Sequence, residues 1–167
     1  MPFTPFHIGH AVITYSIFDK LDFIALLYGS ILVDIEPFLI LLLNLPYPLH
    51  GPIHSIIGIL AITPLLYIIT LTTKLILSKI GFSSRKNSRK IILASILIGG
   101  YTHITMDAFL YSEMNLAWPF PYWNPLFGIF GYSEVYGFCI FSFLAGLLIY
   151  TARRTLFREK NLIIKVA

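Results

Sequence analysis

Apolar residues in this chain fall into four long runs, about residues 21–45, 53–78, 90–111 and 134–152, separated by shorter polar stretches. As a helix, each run is long enough to cross a hydrocarbon core, which takes roughly 20 apolar residues. A fifth apolar segment, "PFHIGHAVITYSIF", is too short to span and lacks the basic flank of a cleavable signal peptide. It predicts a half-depth or interfacial helix that hairpins into the first span at "DKLD", residues 19–22. The pattern therefore predicts an all-α membrane protein: four transmembrane helices plus a short N-terminal helix, in a single domain over residues 1–167.

Composition agrees with this picture. The chain is 57% hydrophobic and 12% charged, with a mean hydropathy of +0.80, whereas soluble domains carry about 25% charged residues. A single cysteine, Cys139, excludes an intramolecular disulfide framework and any multi-cysteine metal site. It lies within an apolar run and reads as a buried, inert thiol.

A net charge of +4 and a pI of 9.2 would suit nucleic acid, but the distribution of the charge argues otherwise. The basic residues are Lys20, Lys74, five in "KIGFSSRKNSRK", and Arg153, Arg154, Arg158, Lys160 and Lys165. The connections 46–52 and 112–133 carry none. The positive-inside rule then predicts a multi-pass protein of the cell (inner) membrane, with the basic loop and the C-terminus cytoplasmic. These charges serve topology, and no nucleic-acid partner is needed. The connection 112–133, rich in Trp, Phe, Tyr, Pro and Gly, reads as an aromatic interfacial belt or as a lid over a site; the two readings are compatible.

Polar residues inside the runs carry the candidate chemistry, since intramembrane ionisable groups are expensive. The five histidines, His7, His10, His50, His54 and His103, all fall toward the side away from the basic residues, and the spans hold Asp34, Glu36 and Asp107. His7 lies 13 residues before Lys20, Asp34 lies 14 after it, and His103 lies 13 after Lys90. At about 1.5 Å per helical residue, all three reach roughly 20 Å from a common surface. His103 and Asp107 are four apart and share a helix face. Gly51 and Pro52 make His50 a loop residue, and Pro52 suits the start of a helix with His54 in its first turn. Asp34 and Glu36 face apart on a regular helix, and a kink at Pro37 would turn both inward. Glu36 serves either there or as a hydrogen-bond partner of a histidine.

Imidazole and carboxylate together suit Zn, Mn or Fe. The set offers enough ligands for one or two ions, with a carboxylate free to bridge two of them. The metal ligands expected are His7, Asp34, His50, His54, His103 and Asp107, with Asp34 or Glu36 as bridging ligand or general base. Whether His10, Glu113 or Glu134 joins them stays open.

The segments "MPFTPFHIGHA", "GSILVDIEP", "HGPIHS", "YTHITMDAFLY" and "WPF", in this order, resemble the membrane-bound metal-dependent hydrolases of archaea and bacteria. The chain is more faintly similar to all-helical zinc phospholipases C. The first resemblance implies a metal held by His7, Asp34, His54, His103 and Asp107. Many relatives carry Arg-Gly where this chain has His50-Gly51, and Pro-Asp-x-Asp where it has Val33-Asp34-Ile35-Glu36. The first departure removes an arginine that could hold phosphate. The function expected is a metal-dependent hydrolase, using Zn first and Mn or Fe next, acting on a membrane lipid or lipid-linked phosphoester from the outer side. The alternatives are a divalent-ion or proton transporter and a non-catalytic membrane scaffold. A b-type haem carrier fits poorly beside the acids.

Overall fold

The computed structural model describes residues 4–82 and 85–166, with side chains described for 6–82 and 85–156. Arg158, Lys160 and Lys165, expected at the basic end, have side chains outside that range. A 3-10 turn, Thr4–His7, leads into α1 (Ile8–Ile17). Then follow α2 (Phe23–Ile31), α3 (Ile35–Leu42), α4 (Ile56–Lys79), α5 (Arg89–Leu110) and α6 (Tyr132–Val166). Four stretches are long and apolar enough to span a membrane: Phe23–Leu42, Ile56–Lys79, Arg89–Leu110 and Tyr132–Leu156. The short α1, about 15 Å long, packs along α6 and is the expected short apolar N-terminal helix.

The helix boundaries follow local chemistry. Asp22 caps α2 by accepting from the Ala25 amide (3.1 Å), and Ser55 caps α4 by accepting from Gly58 (2.9 Å). At the end of α3, Asn44 takes a left-handed φ of 49°. This lets the Leu45 amide reach the Ile40 carbonyl (2.9 Å) and that of Asn44 reach Leu41 (3.3 Å), the pairing of a Schellman motif.

Two expectations need correction. The run 21–45 is not one helix: a 3-10 turn at Leu32–Asp34 separates α2 from α3. The break lies one turn before Pro37, the third residue of α3, and includes Val33, whose carbonyl is the one a proline ring four residues on would crowd. The run 53–78 begins as helix only at Ile56, because Pro52–His54 forms its own 3-10 turn and Ser55 is extended. His54 therefore precedes the helix and does not sit in its first turn.

The bundle is apolar outside, and its interior sets buried polar groups beside apolar core clusters. In the spanning windows of α4 and α6 only 28% and 22% of residues are buried, and exposed Leu60, Leu65, Ile68, Phe141 and Leu148 offer their surface to lipid. The buried set includes His7, Asp34, His50, His54, His103 and Asp107.

α2 and α5 pack along their length, and glycines make the approach possible. A Cβ at Gly29 would collide with the Ile96 carbonyl, and one at Gly99 with the Leu26 carbonyl. Backbone thus lies against backbone where the two helices cross, as small residues allow in membrane bundles. Gly99→Ala should cost about 1–3 kcal/mol by overpacking. Gly137→Ala, where the added Cβ meets open space, should be neutral or stabilising by up to about 1 kcal/mol. Thermal unfolding in detergent measures both, and equal losses would remove the close-approach account.

Candidate metal centre

The crossing of α2 with α5 sets the first contact of the site. His103 Nδ1 lies 2.8 Å from the Ser30 carbonyl. A carbonyl only accepts, so Nδ1 carries a proton and Nε2 is the nitrogen left to face the site. That Nε2 points between two carboxylates, 3.3 Å from Asp34 Oδ1 and 3.2 Å from Asp107 Oδ2.

His54 repeats the arrangement from the 3-10 turn before α4. Its Nδ1 is 2.8 Å from Glu36 Oε2, while Glu36 Oε1 accepts the Ile53 amide at 3.2 Å. Its Nε2 then lies 3.7 Å from Asp34 Oδ1 and 3.9 Å from Asp107 Oδ2. The 3-10 turn at Leu32–Asp34 breaks the regular helical register just before Glu36. Asp34 and Glu36 can thereby address one histidine from opposite sides.

His50, in the loop, has Nδ1 2.8 Å from Glu113 Oε1 and Nε2 3.9 Å from Asp107 Oδ2, with its ring stacked on Tyr111 at 4.0 Å. Burial pushes the His50 pKa down, and neighbouring His54 adds to this; the hydrogen bond to Glu113 works against it. His7 completes the ring of imidazoles, with Nε2 3.4 Å from Asp107 Oδ1 and its ring 4.0 Å from that of His103.

The outcome is a set of buried atoms aimed at one another without hydrogen bonds. They include Nε2 of His7, His50, His54 and His103, Oδ2 of Asp34 and both oxygens of Asp107. Among the described residues no lysine or arginine pairs with Asp34 or Asp107. Buried carboxylates in so apolar a setting need compensation, which protonated imidazoles or a bound cation can supply. One ligand atom from each of Asp34, His54, His103 and Asp107 falls within 4.8 Å of every other. A tetrahedral ion with bonds of about 2.0–2.1 Å holds its ligand atoms roughly 3.4 Å apart, close to the 3.2–3.9 Å of the four His–Asp pairs in this group. This group can hold a metal ion.

Of the expected ligands, Asp34, His54, His103 and Asp107 form that group, and His7 and His50 stand beside it on Asp107. Glu36 is turned to the far nitrogen of His54, which orients the ring. His10 stands apart, its Nε2 3.3 Å from Cys139 Sγ, and Glu134 is exposed, accepting from the Ser133 hydroxyl at 3.0 Å. Of the two supporting groups, one escaped the sequence reading and the other was left open by it. The Ser30 carbonyl leaves no trace in residue type. Glu113, held in reserve, follows Asp107 by six residues, and that spacing hinted at proximity without disclosing its tie to His50.

Metal content of the purified protein should fall to background in His103→Ala and Asp107→Ala. It should stay at the wild-type level in His10→Gln. Glu36→Gln should weaken affinity about 10–100-fold, as loss of a ligand-orienting group does. Because ligand imidazoles bind metal only when neutral, affinity should fall as pH drops below the ordinary histidine pKa of about 6.5. Titration with a metal-chelator competitor measures both effects, and a pH-independent affinity would remove the histidines from the ligand set. No protein-family model, curated protein or solved structure matches this chain.

Proposed function

We propose that the protein is a membrane-embedded metal-dependent hydrolase, as the family resemblance implies, and that its substrate is a lipid or lipid-linked phosphoester. The observation that carries this reading is the ring of four imidazole Nε2 atoms around Asp107, together with Asp34, none of them hydrogen-bonded. In this reading the ion is zinc, with manganese or iron next. The two oxygens of Asp107 face different histidines, Oδ1 toward His7 and Oδ2 toward His50, His54 and His103, which suits a carboxylate bridging two ions. A bound divalent ion supplies Lewis acidity and acidifies water.

The chain's own residues do the rest. Asp34 Oδ2, buried and without a partner, is placed to accept a proton from an attacking water. Glu36 and Glu113 hold the rings of His54 and His50. Among the described residues no arginine reaches the cluster, so phosphate charge would be met by the ions.

An amphiphilic substrate is supported by a cavity of about 360 Å³ between α5 and α6, lined by Met106, Phe109, Phe130, Val135 and Phe138. It flanks the turn of α5 that carries Asp107 and, apart from Thr105 and Glu134, is lined by apolar residues, a suitable place for hydrocarbon. By the positive-inside rule the cluster faces the outer leaflet, and the basic loop and C-terminus are cytoplasmic.

Metal-loaded protein should hydrolyse one class of lipid phosphoester in mixed micelles. Asp34→Asn, assayed at saturating metal, should lower kcat about 10²–10⁴-fold. Failure across phosphodiester and phosphomonoester lipids would remove the hydrolase reading. Metal flux in proteoliposomes would put transport in its place.

A further inference from the structure

A second polar site lies at the opposite end of the bundle, built from residues the metal centre does not use. Its floor is Asp22, 3% exposed. The Asp22 carboxylate caps α2, pairs with the Lys74 ammonium and accepts from Asn87 Nδ2 at 3.0 Å, while the Asp22 amide donates to Ser95 Oγ at 2.9 Å. Lys74 also donates to the Arg85 carbonyl (2.8 Å), and Arg85 donates to the Asp19 carbonyl (2.8 Å). These bonds fold the connection between α4 and α5 back over the start of α2.

A cavity of about 330 Å³ opens above this floor, with Lys74, Arg85, Arg154 and Asn87 on its wall and the apolar Phe23 and Ile24 beside them. Its charge is unbalanced: three cations face the one carboxylate of Asp22. Asp22 is already taken by Lys74, and Asp19 pairs with Arg153 at 2.9 Å. Among the described residues no carboxylate pairs with Arg85 or Arg154, and Arg154 is held over the Tyr150 ring at 5.1 Å.

Two unpaired guanidinium groups beside an amide donor suit a phosphate, whose oxygens match the planar fork of arginine. The apolar wall belongs to the first turn of a spanning helix, where hydrocarbon begins, so an anion carrying acyl chains meets both halves of the site. We propose that this cavity binds the phosphate headgroup of an anionic phospholipid from the leaflet facing the basic end. Basic pockets between membrane helices take such headgroups. The site is independent of the hydrolase reading.

Native mass spectrometry of the full chain in detergent tests this with phosphatidylglycerol, phosphatidylcholine and soluble glycerol phosphate as competitor. The wild type should retain one phosphatidylglycerol with at least about tenfold preference over phosphatidylcholine. Arg85→Gln/Arg154→Gln should lose that preference, and Lys79→Gln/Lys86→Gln, with the same loss of charge outside the cavity, should keep it. Arg154 makes no hydrogen bond among the described residues, so Arg154→Gln alone repeats the test without touching the contact of Arg85 to Asp19. Equal loss in both double variants would reduce the effect to diffuse charge and overturn the proposal. Equal retention of the two lipids, or displacement by glycerol phosphate at matched concentration, would do the same, the latter by showing a site for soluble phosphate.

Discussion

The structure turns on keeping Asp34 and Asp107 inside an apolar bundle. A carboxylate taken out of water without a counter-charge is among the most costly groups a protein can bury, and neither acid has a lysine or arginine partner among the described residues. The answer is a shell of imidazoles; in three of them the outer nitrogen is occupied and the inner nitrogen is not, while His7 has neither nitrogen hydrogen-bonded. His103 is tied to the Ser30 carbonyl, His54 to Glu36 and His50 to Glu113. Such ties fix the ring plane, leaving the inner nitrogens turned to the two carboxylates around a space that can hold a metal ion.

That arrangement depends on backbone as much as on side chains. The bond from His103 to Ser30 exists because α2 and α5 touch at glycines, which brings a helix carbonyl within reach of a side chain on its neighbour. The interrupted helix at Leu32–Asp34 serves the same end. A regular helix would separate Asp34 and Glu36 around its axis, whereas the break lets one face the cluster and the other face the back of His54. A short 3-10 segment within a helix often marks a functional hinge or a strained sequence.

The two ends of the bundle solve opposite problems. At one end acids are hidden among histidines; at the other, Lys74, Asn87 and Ser95 surround buried Asp22 and fasten the connection after α4 to the start of α2. Arg153 adds a second fastening, donating to the Ser16 carbonyl (2.6 Å) and to Asp19 (2.9 Å), which ties α6 to the end of α1. Both clamps lie on the loops that set how far the helices extend, and so help fix the level at which His7, Asp34 and His103 meet.

Much of this was legible in one dimension. Run length and the clustering of basic residues predict the four spans and distinguish the two ends, because the bilayer demands about 20 apolar residues per crossing. Counting from Lys20 and Lys90 places His7, Asp34 and His103 at one depth, because helical rise is nearly constant. The same rule pairs His103 with Asp107. Rotation about each helix axis and the closeness of neighbouring backbones are absent from such counts. Tertiary structure alone therefore decided that His10 turns to Cys139, that Glu36 and Glu113 orient rings, and that the break falls at Leu32–Asp34 and not at Pro37. It alone supplied the Ser30 carbonyl, because a backbone acceptor is the same at every residue and becomes specific only when another helix is packed against it.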